Sequence, residues 1–546
     1  MRHPRLPMFL QSIAIVTVMA AILAMSGCVH SPVFTPAVGR KPIDRLMVDY
    51  PGGVVLEEVV RGLTGPCDVD VDEQGNLLIA ESGAGGYEPK LFGYHPDGTY
   101  FDIYPVARTV RVPFDIIITG FRIYGPLGGI LAANGKVYVS HRDADGMGVV
   151  TAFGYDGSHT TVIANLPCQG DNGMSDLALG RGRLWFGVGS ATNSGVVGLD
   201  NWSWVKKRPE FCDRSFVDLK LNGFQFKSKH PDAGIFGAPE TAVTAPYQPF
   251  NVSAQTRVRH DEEPTASIYS VDPAGGGIRV EAHGVRNPRG LAFSESGTLY
   301  MTNGGMELRG TRPIKDDPDA LLRVAFGWYG FPDFTTDLRP VTESQFQPPP
   351  EMIIKSGYDE VSFLIDRAAS DRGAGLIPPI ASLLQTTFPS LSGASRFDFV
   401  PAAGPLREFR GQVIVPLFGD RAPFSNSGRK LVEPVGFKVV RVDLTNREVH
   451  DFVRNAKTRP ASKLGKGEGL LERPSAVKFT RDGSMYLVDF GQMSVKQDGR
   501  IKVRPGTGRI LRLRPGERAT TRPTTRDSKL GHSVIGPYES LNSMTQ

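Results

Sequence analysis

Short runs of alternating apolar and polar residues recur along most of this chain, and they recur in pairs. Alternation with a period of two marks a strand with one buried face. Two such runs joined by a Gly-containing turn mark a β-hairpin. One pattern appears in PCDVDVDEQGNLLIAES from Pro66, PLGGILAANGKVYVSH from Pro126 and GMSDLALGRGRLWFGVGS from Gly173. It returns in PRGLAFSESGTLYMTNG from Pro288, ASRFDFVPAAGPLREFRGQVIVPLFGD from Ala394 and RPSAVKFTRDGSMYLVDFG from Arg473. The turns DEQGN, ANGK, SESGT and RDGS carry the Gly or Asn that a positive φ requires. The fifth copy has the longest hairpin loop and matches least well.

A further strand follows at varying distance, as in KLFGYHPDG, GVVTAFGYDG, ASIYSVDP, FKVVRVDL and GRILRLRPG. A hairpin with outer strands makes a four-stranded sheet. One such sheet cannot bury both of its faces, whereas a closed ring of them can, and it leaves only short edges. The expected fold is all-β: a six-bladed β-propeller over residues 46–517, with long loop insertions at about 193–265 and 306–393. A β-sandwich or two separate β domains would not need six copies of one hairpin. The insertions, the first of which holds Trp202, Trp204, Phe211 and Cys212, are expected to pack as lobes over one face.

The N-terminus departs from this pattern. Arg2 and Arg5 precede an apolar run from about Ile13 to Met25, which ends in Met25-Ser26-Gly27-Cys28. That is the layout of a secretory signal, too short and wrongly flanked for a spanning helix. The ending resembles the bacterial lipobox. The resemblance implies a signal peptide over 1–28, with lipidated Cys28 as the mature N-terminus of a lipoprotein. Val29 after the cut, rather than Asp, points to the outer membrane, facing the periplasm. Residues 29–45 are expected to be a linker, and 518–546, rich in Thr, Ser and Arg, a disordered tail.

Composition adds little beyond this. Gly 63 and Pro 42 fit a turn-rich fold. A net charge of only +5, without a basic block interleaved with aromatics, argues against nucleic-acid binding. Three cysteines follow Cys28, and export permits a disulfide. Cys168 and Cys212 flank one insertion and are the expected pair, with Cys67 buried in a core strand.

Propeller geometry then locates a site. The residues before each inner strand, and those after the next strand, meet at one mouth of the central channel, where ligand sites concentrate. The leading flanks include Asp171 with Asn172, Arg286 with Asn287, Ser395 with Arg396, and Glu472 with Arg473. The trailing flanks include Glu81, His141 with Arg142, Ser190, Asn303, Asp420 with Arg421, and Asp489. Arginine forks suit carboxylate or phosphate. Asp and Asn oxygens suit Ca²⁺. A histidine titrating near neutrality suits proton transfer. A wet mouth is also polar without any ligand.

HGVRNPRGLAF from His283 and LLRVAFGWYGFPDF, with Gly327-Trp328-Tyr329-Gly330-Phe331-Pro332, resemble signatures of the soluble glucose and sorbosone dehydrogenase family. GVGSATNSGVVG from Gly187 and the last repeat are similar to it as well, and the likeness spans about Glu57 to Pro515. The resemblance implies oxidation of an aldose or related sugar with pyrroloquinoline quinone (PQQ) and Ca²⁺, by hydride transfer from sugar C1 to the quinone. It implies that Arg286, Asn287 and Arg473 contact the cofactor, with Asn172 beside it. Asn303, Asp317 and Asp319 are the candidate metal ligands, the two aspartates lying in Asp316-Asp317-Pro318-Asp319.

The chain departs from the family at the base. Gly170-Asp171-Asn172 puts an amide where the family has its catalytic histidine, and an amide is no base at neutral pH. The family's fifth-blade lysine is also missing near Gly419, where Asp420 and Arg421 stand. Two readings remain. One is a quinone-dependent sugar dehydrogenase with a displaced base, Asp171 or His141. The other is a propeller without catalysis that binds a carbohydrate, a cell-wall fragment or a protein at the envelope. A metal-assisted lactonase using Glu81, Asn172 and Asn303 is a third.

Overall fold

Six antiparallel sheets follow one another along the chain. The computed structural model describes residues 40–105, 121–231, 240–370, 376–429, 431–464 and 469–516. The expected signal segment with Cys28, most of the linker and the tail over 518–546 lie outside the described residues. Blade 1 runs Pro66–Val71, Leu77–Glu81, Lys90–Tyr94 and Tyr100–Tyr104. Blade 2 runs Tyr124–Ala133, Lys136–Arg142, Gly148–Phe153 and His159–Leu166. Blade 3 runs Met174–Gly180, Arg183–Val188, Ser267–Val271 and Arg279–His283. Blade 4 runs Pro288–Phe293, Leu299–Asn303, Asp319–Arg323 and Leu384–Phe388. Blade 5 runs Asp398–Phe399, Val413–Leu417, Lys438–Val442 and Val449–Asn455, with Val48–Asp49 added at its outer edge.

Blade 6 closes the ring. Pro474–Phe479, Met485–Asp489 and Gly508–Pro515 come from the C-terminal part, and Val54–Leu63 from the N-terminal part pairs with the last of these. Ahead of that strand, the Arg40 guanidinium donates to Leu470 O at 2.6 Å and to Asp489 Oδ2 at 2.7 Å, which straps the N-terminal segment to blade 6.

The hydrophobic pattern explains the ring. Successive residues of a strand point to opposite faces, and here the two faces belong to two different cores. Leu77 and Ile79 pack with Val488 and Ile510 of blade 6. Leu78 and Ala80 pack with Val137 and Val139 of blade 2. The same holds between blades 2 and 3, 3 and 4, 4 and 5, and 5 and 6. Six interfaces joining six sheets in sequence make a closed propeller. Tight turns hold the inner hairpins: Asn134-Gly135 and Arg181-Gly182 both have two consecutive positive φ values, as type I′ turns require.

An aspartate in the inner strand recurs in three repeats, and in two of them it caps the strand edge of the next blade. An inner strand has one edge without a ladder partner. Asp68 and Asp70 of blade 1 accept from the N–H groups of Ile130 and Ala132 of blade 2, both at 2.8 Å. Asp398 of blade 5 accepts from Phe479 N of blade 6 at 2.9 Å. Arg396 and Lys478 enter the same channel, the latter 3.0 Å from Asp70 Oδ1, so a charged plug fills the axis. Burial raises the pKa of Asp68 to about 6 despite the attraction of Arg396.

Asp319–Arg323 lies inside the stretch expected to be a single insertion and is instead the third strand of blade 4. Loops before and after it, together with the chain between Val188 and Ser267, pack over the mouth. Cys168 and Cys212 are both free thiols, which corrects the expected disulfide. Their sulfurs lie against different carbonyls, Gly146 O and Tyr247 O, each at 3.5 Å, so the two thiols sit in separate packing sites. Cys67 is buried, as its strand position requires.

Candidate functional site at the channel mouth

The mouth divides into two parts. Over blades 3 and 4 it is covered. Asp171 Oδ1 accepts from Trp204 Nε1 at 2.8 Å, and Oδ2 from Asn201 Nδ2 at 2.9 Å and Arg309 Nη2 at 2.7 Å. Trp204 and Asn201 belong to the first insertion; Arg309 belongs to the loop between the second and third strands of blade 4. Arg309 is 2% exposed and also pairs with Asp200 and with Glu307. The Phe424 ring lies over its guanidinium, 4.4 Å from the centroid. Burial opposes ionisation of Glu307, but Arg421, Arg309 and Arg286 together hold its carboxyl well below the usual range.

The expected cofactor residues of this half are engaged with the protein itself. Arg286 donates through Nε to Asn193 O at 2.9 Å, through Nη2 to Asn193 Oδ1 at 2.9 Å and through Nη1 to Gly304 O at 3.1 Å. It therefore clasps the first insertion to blade 4. Asn172 Nδ2 donates to Ser190 Oγ at 3.0 Å, within the flank of its own blade. Asn287 N donates to Asn303 Oδ1 at 2.8 Å.

Neither expected base stands free. Asp171 is saturated by the insertion and by Arg309. His141 is 2% exposed, with Nδ1 2.8 Å from Arg142 O and Nε2 2.8 Å from Thr151 Oγ1. A backbone carbonyl can only accept, so Nδ1 carries the proton and Nε2 accepts from the Thr151 hydroxyl. Burial lowers the pKa of this imidazole to about 4. Both expectations are corrected: one group anchors a lobe, the other fills a core.

The expected metal ligands do not form a cation site. Asn303 Oδ1 serves Asn287 N. Asp317 accepts from the N–H groups of Met306 and Thr336, and Asp319 from those of Gly305, Gly393 and Ala394. Oxygens turned onto backbone donors are not arranged around a cation, and among the described residues no cluster of three His, Cys, Asp or Glu side chains could hold one. Burial raises the pKa of Asp317 to about 7, which also disfavours an anionic ligand there. Glu81 likewise accepts from Thr64 N and lies 3.6 Å from Lys90 Nζ, so it secures a strand end.

The second part of the mouth lies toward the axis, between blades 4 and 5. A pocket of about 320 Å³, including space open to solvent, is lined by Arg289, Arg421, Glu307, Asp319, Ser425 and one edge of Arg286, over Gly304, Gly305, Gly393 and Gly419. The glycines keep it open: a Cβ on Gly393, whose φ is +73°, would stand 3.3 Å from Arg289 Nη1. Arg289 is the second residue of its inner strand and forms no ion pair among the described residues. With the Asn287 amide oxygen turned toward it, Nε and Nη2 each donate across 3.1 Å. Burial and the neighbouring Arg421 lower its pKa to about 10, which leaves it charged at neutral pH.

Other donors at this end also lack partners. Ser425 Oγ and Arg473 Nε are buried without a hydrogen bond. Arg473 donates through Nη1 to the carbonyls of Gly419 and Asp420 at 3.2 and 3.0 Å, between the Phe418 and Phe437 rings. Arg421 gives Nη2 to Glu307 at 2.6 Å and is 22% exposed in its side chain. The sequence singled out Arg473 and Arg421 but missed Arg289. Its signal was there, a charged residue at an axis-facing position of an inner strand.

No family model matches the chain, and no curated protein matches it. Solved structures do. The PQQ domain of pyranose dehydrogenase from Coprinopsis cinerea is similar at 15% identity and a TM-score of 0.47, over 87% of this chain and 98% of that one. The PQQ-bound aldose sugar dehydrogenase of Streptomyces coelicolor gives 15% and 0.42, over 85% and 99%. A gluconolactonase from Xanthomonas campestris gives 12% and 0.38, over 88% and 98%. The six-bladed fold rests on the sheets and cores described above, and the chemistry of the mouth rests on its own residues.

Proposed function

We propose that this propeller binds a small carboxylate-bearing ligand at the axial part of its mouth. The observation that carries the reading is Arg289: a half-buried guanidinium without an ion pair among the described residues, beside Arg421 and the partnerless Ser425 hydroxyl. Glu307 and Asp319 line the same pocket and attract Arg289, but their oxygens are taken up by Arg309, Arg421 and backbone N–H groups, so an added anion would meet the Arg289 fork directly. Guanidinium forks favour carboxylates in particular. PQQ, a tricarboxylate, belongs to this ligand class. Arg289 and Arg421 would hold its acid groups, and when bound it supplies a two-electron acceptor.

The reading stops short of sugar oxidation by the family's route. Hydride removal from sugar C1 needs a group to take the hydroxyl proton. Asn172 cannot, Asp171 is bound by three donors, and His141 lies in a core. The donor set suits the carboxylates of the quinone, and none of the three candidate bases is placed to take the proton. The Ca²⁺ of the resembling family is not fitted by Asn303, Asp317 and Asp319, and no step is assigned to it. The binding reading is therefore preferred to the dehydrogenase reading.

At the envelope the same proposal makes the chain a lipid-anchored binding protein, on the strength of Met25-Ser26-Gly27-Cys28. Metabolic palmitate labelling tests the anchor: label is expected on the wild type and absent from Cys28→Ala. Titration calorimetry with PQQ and with citrate tests the binding. One-to-one binding that weakens with salt is expected for at least one of them. No heat with either at high micromolar ligand would refute the proposal.

A further inference from the structure

The charged plug on the channel axis holds more acid than capping strand edges requires. Four carboxyls enter it: Asp68 and Asp70 from blade 1, Asp176 from blade 3 and Asp398 from blade 5. Two cations meet them, Arg396 just ahead of the blade 5 strand and Lys478 from blade 6. The inner strand of blade 2 brings no charge, and Arg289 of blade 4 lies at the mouth end beside Arg421. The Cys67 thiol borders the plug and donates to Ala80 O at 3.6 Å, its pKa pushed up to about 12 by burial. Four carboxylates against two cations in so enclosed a place would leave negative charge unbalanced, which is costly.

Three of the four carboxyls are engaged as anions. Asp70 lies 3.0 Å from Lys478 Nζ. Asp398 accepts from Phe399 N at 2.8 Å and from Phe479 N at 2.9 Å, and Lys478 attracts it. Asp68 uses both oxygens, Oδ1 for Val69 N at 2.9 Å and Oδ2 for Ile130 N at 2.8 Å. Asp176 differs. It is 8% exposed, and it forms no ion pair among the described residues. Its one side-chain hydrogen bond there runs from Leu177 N to Oδ1 at 2.8 Å, which leaves Oδ2 without a donor. Arg396, the cation that attracts it most, is turned instead to the Gly128 carbonyl, with Nε at 2.7 Å.

The chain brings this acid close to a second one. A Cβ on Gly129 of blade 2 would stand 2.5 Å from Asp176 Oδ1 and 3.0 Å from Asp68 Oδ2, so both carboxyls flank one point on that strand. Only glycine leaves room for them. Burial first, and then the Asp68 charge, push the Asp176 carboxyl well above the usual range.

We propose that Asp176 carries a proton at neutral pH, and that this neutral acid, facing Asp68 across Gly129, makes the contact of blades 1, 2 and 3 at the axis a pH-sensitive lock. Loss of the proton sets two anions against each other there. The folded chain binds this proton more tightly than the unfolded chain does. The lock's contribution is therefore complete below about pH 4, the ordinary aspartate value, and is lost progressively as pH rises toward the folded value. The lock does not depend on the reading of the mouth.

Asp176→Asn keeps an acceptor for Leu177 N and fixes the side chain neutral. Asp68→Asn takes the facing charge away. Melting curves at about pH 4 and about pH 8 test the proposal. The wild type is expected to lose more melting temperature between the two than either variant, and Asp176→Asn to melt several degrees above the wild type at the higher pH. An infrared difference spectrum at neutral pH, wild type less Asp176→Asn, should show the carbonyl band of a protonated carboxylic acid. The proposal is overturned if Asp176→Asn melts below the wild type at the higher pH, if its offset is the same at both pH values, or if no acid band is lost in it. A variant Asp176→Asn that cannot fold would overturn it too, because a neutral side chain with the same acceptor is what the lock requires. So would an Asp68→Asn variant whose melting temperature depends on pH as strongly as that of the wild type.

Discussion

The two halves of the mouth use the same residue type to opposite ends. Over blades 3 and 4, Arg286 and Arg309 are enclosed and every strong acceptor around them belongs to the protein. Toward the axis, Arg289 and Arg421 face a pocket, and one of them has no carboxylate of its own. Arginine at a propeller mouth is thus not by itself a ligand contact. What separates clasp from contact is whether the hydrogen bonds close within the chain.

The largest effect expected from breaking this contrast is at Arg309. Arg309→Ala leaves Asp171 and Asp200 buried together without their cation, and Glu307 with Arg421 as its remaining partner. Loss of one partner from a buried ion pair costs about 3–5 kcal/mol, and chemical denaturation should read a loss in that range. Arg286→Ala comes next. Its three hydrogen bonds hold Asn193 and Gly304, so about 3 kcal/mol of stability should disappear. The melting temperature should fall, whereas a pure ligand contact would leave it unchanged.

A smaller effect is expected from acid. The folded-state pKa of His141, lowered to about 4 by burial, lies under its ordinary value of 6.5. Its contribution is complete above pH 6.5 and is lost as pH falls toward 4, on the order of 1–3 kcal/mol. Asp317, raised to about 7, acts with the opposite sign, contributing at low pH and losing its contribution as pH rises through 7. NMR titration of the His141 ring should therefore show no protonation above about pH 5; a midpoint near 6.5 would put the ring in solvent. The smallest effect concerns the thiols. With Cys168 and Cys212 free, a reductant should leave the melting temperature where it is; a drop would mean a bridge exists.

Much of the fold was legible. Six hairpins with Gly-containing turns led to six blades because a β-hairpin with alternating faces has few ways to bury both. The third strand of blade 4 was hidden because DALLR is short and stands between a proline-containing loop and a long insertion. The mouth was only partly legible. Flank positions follow from the repeat, which is why Arg286, Asn172 and Asp171 are assigned to the mouth from the sequence. Their partners Trp204, Asn201 and Arg309 lie in or beside the loops that cover the mouth, and no periodicity says where such a loop folds back. Arg289 is not a flank position at all: it is the second residue of its inner strand, and the repeat does not say which strand residues line the pocket.

The central claim, that the axial arginines and not the covered ones bind the ligand, is tested most directly by titrating Arg289→Ala with the same carboxylate ligand that binds the wild type. Calorimetry should show binding lost, or weakened about a hundredfold, with the melting temperature of the free protein little changed, because Arg289 is only half-buried and makes no ion pair among the described residues. Undiminished binding in Arg289→Ala would contradict the account and move the ligand elsewhere on the mouth.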